Sequence, residues 1–281
     1  MATDEVPPVS FDNLPETPLL LILQKVARDT GRSTYATVCK RWRLMLPLAQ
    51  VQLELVGRYR TAPITEVSWT KILSAFPNLE SLSVQSHGLL SDFILGAIAS
   101  CTTRLRTLQI RAYSEKIVPV CPEQGLHFLL HLKSDLRTLS LSASGEGFLP
   151  LPQCLTFLSH LKSLKCRGVR NQDVGAITCL VALRELQSEI WGLENVPVPD
   201  VITRLTCLTK LTLSGFTELP EGMGAMSKLL DLRLEHGQIR ALPSSIMTLQ
   251  SLQHVTLDSV DIEEFPQSLL TLPLLKHLDI R

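Results

Sequence analysis

The chain has 281 residues, 45% of them apolar but only 5% aromatic, so leucine must carry its core. Lys plus Arg and Asp plus Glu each number 27, a formal charge of zero. That balance speaks against nucleic acid or an anionic membrane as the main partner, because both select net-basic proteins. The seven cysteines are odd in number and none forms a Cys-x-x-Cys, which argues against a disulfide framework or a standard zinc site. Reduced thiols of a cytoplasmic or nuclear protein are the expectation. No run approaches the ~20 apolar residues that a membrane span needs.

The first segment, MATDEVPPVS (1–10), is acidic and broken by two prolines. It lacks the basic-then-apolar order of a secretory signal and reads as a disordered tail. From Phe11 to Gln50 three short helices are expected. Thr17 suits the cap and Pro18 the first turn of the first helix. Leu19, Ile22, Leu23 and Val26 then follow at i, i+3, i+4 and i+7, one apolar stripe. Asp29–Gly31 turns the chain, Ser33 can cap a second helix, and a third runs from about Val38 to Leu46 before Pro47. Three helices this short bury little surface and need support from the rest of the chain or from a partner. Within the third stands Val38-Cys39-Lys40-Arg41-Trp42. No His or Asp is placed by sequence to activate Cys39, so its role is packing rather than nucleophilic attack. With zero net charge, Lys40, Arg41 and Arg43 read as a solvated helix face.

Leu14–Pro15, an amphipathic helix, and Val-Cys-Lys-x-Trp at this separation resemble the F-box. The resemblance implies docking onto the Skp adaptor of a cullin ubiquitin ligase. The implied contact residues are Leu14, Pro15, Leu19, Ile22, Leu23, Val38, Cys39 and Trp42. It departs at Thr17 and Pro18, where the family usually has Glu and Ile, and in the polar middle RDTGRSTYAT. An adaptor affinity below the family's norm is therefore expected.

From Val51 onward the chain repeats itself. Val51, Leu53 and Leu55 form a first, atypical strand that joins the two modules without a flexible linker. Then Leu-x-x-Leu-x-(Leu/Ile/Val) recurs from Leu79, Leu105, Leu136, Leu161, Leu183, Leu208, Leu229, Leu252 and Leu275, with Cys166 and Ser188 closing two copies and Val255 replacing the second Leu of another, in steps of 26, 31, 25, 22, 25, 21, 23 and 23 residues. The closing alternation of each motif, as at Leu232 and Leu234, makes a short strand with one face inward. The chain then returns through a helical or looser segment, such as SDFILGAIASC (91–101), PEQGLHFLLHLKS (122–134) or PSSIMTLQ (243–250). A lone unit cannot offset its ordering entropy, so units must stack. Leu219–Pro220, Leu242–Pro243 and Phe265–Pro266 each open a short helical turn in the compact last units.

This array resembles leucine-rich-repeat proteins over residues 51–281, which implies a curved parallel β-sheet, an α/β solenoid of about nine to ten repeats. It departs three residues past each strand's last apolar position. The family usually has Asn or Cys there; this chain has His87, Tyr113, Ser144, Val169, Trp191, Phe216, Gly237 and Val260. Apolar packing is expected to hold the inner turn instead. An F-box followed directly by leucine-rich repeats is a known family architecture. It implies a non-catalytic subunit that captures a protein target for ubiquitination; the alternative is a repeat scaffold or signalling protein without a ligase role. The chain ends at Arg281 just after a strand, with no polar cap; either the sequence is cut from a longer one, the favoured expectation, or that end binds something.

Outward residues of the strands would line the concave face, and ten strands at ~4.8 Å give a surface ~45 Å long, suited to a folded protein or an extended peptide. Charge is densest over the fourth to eighth motifs. The target-binding candidates are Arg111, Lys165, Arg167, Glu185, Glu189, Lys210, Asp231, Arg233, Glu235, His254 and Asp258. Other chemistry has little support. His127 and His131 stand at i, i+4 but have no third metal ligand. Gly145-Glu146-Gly147 is too short for a phosphate loop. No acid–base pair or nucleophile–base constellation is assembled by spacing, so neither enzyme activity nor a cofactor is expected.

Overall fold

The computed structural model describes residues 51–56, 66–86, 92–114, 132, 135–145, 155, 157–169, 177, 179–190 and 196–281. The helical module expected over 11–50, with all eight adaptor-contact candidates, lies outside the described residues. So do His127, His131 and most of the 122–134 segment.

Among the described residues, ten strands follow one another along a single sheet: β1 (Gln52–Val56), β2 (Ser81–Ser86), β3 (Thr107–Ser114), β4 (Thr138–Gly145), β5 (Ser163–Val169), β6 (Glu185–Ile190), β7 (Lys210–Ser214), β8 (Asp231–Glu235), β9 (His254–Asp258) and β10 (His277–Ile280). All neighbours are parallel and in sequence order. Parallel neighbours require a crossover between strands, which the convex segments supply. The expected first strand is present, with Val51 and Leu53 buried. Although the steps between motifs run from 21 to 31 residues, Leu82, Leu108, Leu139, Leu164, Leu186, Leu211, Leu232, Val255 and Leu278 stand in one register column. The register is held just before each strand. The N–H groups of Leu230 and Asp231, for example, both donate to the Thr209 carbonyl, at 2.8 and 3.1 Å, and the same fork recurs in every unit from β2 to β10.

The described convex segments are of two kinds. Near the N-terminal end the crossovers include helices α1 (Glu66–Ser74) and α2 (Asp92–Cys101), which pack on each other; α2 fills the segment read as helical. Near the C-terminal end the crossovers are five-residue 3-10 turns, Asp200–Arg204, Glu221–Ala225, Ser244–Thr248 and Gln267–Thr271. Pro199, Pro220, Pro243 and Pro266 sit immediately before them with φ between −75° and −61°. Each proline carbonyl accepts the N–H three residues on. The turn after Val198–Pro199 adds a fourth to the three expected. The proline, pre-set for a turn's entry, matters more than the leucine before it.

The inner turn departs from expectation in part. Phe216 is buried and Val260 is packed against the core, as apolar packing requires. Gly237, however, holds its place because it has no side chain: a Cβ there would lie 2.6 Å from the Phe216 carbonyl oxygen. Ser144 donates its hydroxyl to the Ala112 carbonyl (3.2 Å) instead of packing. The residues just before Phe216, Gly237 and Val260 all have positive φ: Gly215 (84°), His236 (49°) and Ser259 (55°). Their N–H groups donate to the carbonyls of Glu235, Asp258 and Arg281 in the following unit. A repeated backbone ladder thus does part of the work an asparagine side chain would do, at the cost of a left-handed conformation that only glycine takes freely.

Candidate functional site

Strand alternation sends every second residue to the concave face, and the registers align them in rows across β5–β9. One row is Ser163, Glu185, Lys210, Asp231 and His254; the next is Lys165, Gln187, Thr212, Arg233 and Thr256. The third is Arg167, Glu189, Ser214, Glu235 and Asp258. In-register neighbours lie about one strand spacing apart, ~4.8 Å, so the register brings charges on adjacent strands within pairing reach.

The pairing is specific. Arg167 Nε donates to Glu189 Oε2 at 2.6 Å. That hydrogen bond and the Glu189 charge raise the Arg167 pKa above its usual range; burial offsets part of the rise and Glu235 adds a smaller upward pull from across the face. Lys210 Nζ lies 3.9 Å from Glu185 Oε1, and Glu185 also accepts the Ser163 hydroxyl. Arg233 pairs with Asp231 at 3.4 Å on its own strand. The basic step read at Lys165 and Arg167 is therefore not one unit: Arg167 is committed to Glu189, whereas Lys165 makes no ion pair among the described residues.

A shallow concave cavity of about 250 Å³ opens over β5–β8. Of the candidates named from sequence, Lys165, Glu185, Lys210, Asp231, Arg233 and Glu235 line it. Arg167 and Glu189 sit one row away, Asp258 and His254 one strand beyond, and Arg111 on β3, apart from it. His254 stacks at a tilt on His277, ring centroids 6.0 Å apart. Ser163, Gln187 and Thr212 also line the cavity; being uncharged, they are not marked by charge density. Their alternate position in the motif was the available signal.

The core-facing side of the same strands holds no chemistry of this kind. Cys166 is fully buried, and burial pushes its thiol far up, so it is an inert core residue. Ser188 occupies a core position between Cys166 and Leu213, 2% exposed, and its hydroxyl has no partner among the described residues. No group of three or more His, Cys, Asp or Glu among the described residues could hold a metal. None of the described helices is long and apolar enough to cross a membrane.

No protein-family model matches the chain. Solved structures do resemble it. A leucine-rich-repeat protein of Leptospira interrogans is 19% identical with a TM-score of 0.56, covering 93% of this chain and 69% of that one. An internalin of Listeria monocytogenes is 16% identical with a TM-score of 0.53, covering 93% and 74%. The ectodomain of a plant membrane receptor kinase from Arabidopsis thaliana, in complex with Casparian strip integrity factor 2, is 24% identical with a TM-score of 0.54. That match covers 75% of this chain, which spans a quarter of the receptor chain's length. The chain has the leucine-rich-repeat solenoid fold.

Proposed function

We propose that this chain is a non-catalytic recognition subunit, working in the cytoplasm or nucleus, whose concave face captures a protein target. The observation that carries the reading is the continuous polar face of ten in-register strands, with its charged cavity over β5–β8. A surface of this breadth, with alternating charge and few aromatics, suits a protein or extended peptide better than a small apolar ligand. The plant receptor ectodomain of the same fold, solved with a bound factor, supports a protein partner.

The ligase half of the proposal rests on Leu14–Pro15 and Val38–Trp42. Their spacing fits an F-box that docks on a Skp adaptor and through it on a cullin, holding the target near the ubiquitin donor; such positioning is itself a source of rate. The test is co-purification of the full chain with the Skp adaptor. Leu14→Ala combined with Trp42→Ala should release the adaptor while the repeats keep their thermal transition. If the unaltered chain does not retain the adaptor, the ligase role falls and a repeat scaffold remains.

A further inference from the structure

The concave face is not electrostatically closed. Three of its four cations over β5–β8 have a carboxylate partner: Arg167 with Glu189, Lys210 with Glu185, Arg233 with Asp231. Lys165 has none among the described residues and projects into the cavity, exposed. At the other side, Glu235 and Asp258 stand directly in register on β8 and β9. No cation lies within ion-pair distance of either among the described residues; there the Asp258 carboxylate accepts only the hydroxyl of Ser259. Like charges opposite one another on adjacent strands are destabilising. Arg167 feels Glu235 from across the face but is committed to Glu189. The surface therefore has a bare positive point over β5 and an uncompensated negative pair over β8–β9.

We propose that the cavity takes an extended peptide segment of the target carrying one carboxylate and one Lys or Arg. The carboxylate sits on Lys165 and the basic side chain bridges Glu235 and Asp258. From β5 to β8 there are three strand spacings, ~14 Å, which an extended peptide covers in about four residues. The segment thus runs across the strands with acid and base at i and i+4. Gln187 and Thr212, between the two poles, offer donors and acceptors to its backbone. This inference rests on the concave face being the target-binding face, and it is independent of the F-box.

The test uses the full chain and fluorescein-labelled Ser/Gly peptides read by anisotropy. One peptide has Glu four residues before Arg and one has the reverse order. Controls neutralise either charge to Gln or place the two side by side. One of the two orders should bind roughly tenfold tighter than every control, the loss expected for one charge-assisted contact. Lys165→Glu with Glu235→Lys and Asp258→Asn should reverse which order is preferred. Equal binding by a singly neutralised peptide, an order preference unchanged by the exchange, or no binding by any peptide would overturn the proposal. Lys165→Gln alone, a mild exposed change, should lose the advantage of the acidic residue without moving the melting transition. Adaptor co-purification can fail while the order preference holds, and the converse, so the two readings fall separately.

Discussion

Between β1 and β3 the chain crosses the convex side through α-helices; between β6 and β10 it crosses through five-residue 3-10 turns. Yet the two regions deliver the same cargo to the core. Leu95 and Ile98 of α2 are buried three residues apart, as are Met223 with Met226, Ile246 with Leu249, and Leu269 with Leu272. What the fold fixes is the strand register and an i, i+3 apolar pair. How the backbone coils while presenting that pair is free, so step length drifts without disturbing the sheet.

If that is right, the strand column should matter equally in both regions. Leu108→Ala and Leu232→Ala, both fully buried in the same column, should each cost about 3 kcal/mol, within the range for large-to-small core changes, measured by urea denaturation. Leu278→Ala in half-buried β10 should cost less than half as much. A large difference between Leu108 and Leu232 would break the comparison.

The compact region should be more sensitive at its inner turn. Gly237→Ala drives a Cβ into the Phe216 carbonyl, and about 2 kcal/mol of destabilisation is expected from forced overpacking, visible as a lowered urea midpoint. Ser188→Ala should move the other way. Removing a buried hydroxyl with no partner among the described residues is expected to stabilise by about 1 kcal/mol, read as a raised melting temperature. The smallest effect separates the two kinds of crossover. Glu221 accepts from the Ser244 hydroxyl (3.1 Å) and the Ser244 and Ser245 N–H groups, tying one 3-10 turn to the next from outside. Glu221→Ala should cost under ~1 kcal/mol, as for an exposed cap, and hydrogen exchange should rise at 244–248 while α1 and α2 are unchanged.

Much of this was legible because a solenoid is nearly one-dimensional. Each Leu-x-x-Leu-x-Leu motif carries its strand, its inward face and its neighbour, so spacing alone yields sheet order and the concave residues. The inner turn was read less well. Apolar packing was legible at Phe216 and Val260, but the positive φ at His236 and Ser259 was not, because serine does not signal it and histidine is only enriched there. The Pro199 turn was hidden by the absence of a preceding Leu or Phe.

For the candidate site, the sequence determined which side chains share the concave face and that charge concentrates over β5–β9, since alternation is a local property of the backbone. Only the tertiary structure decided that, among the described residues, Arg167 is occupied by Glu189 while Lys165 is bare, and Glu235 meets Asp258 without a cation. Pairing across strands depends on which residues the register sets ~4.8 Å apart and how long side chains lean over a curved sheet. Residues that are two positions apart in sequence, such as Lys165 and Arg167, therefore end in different electrostatic surroundings.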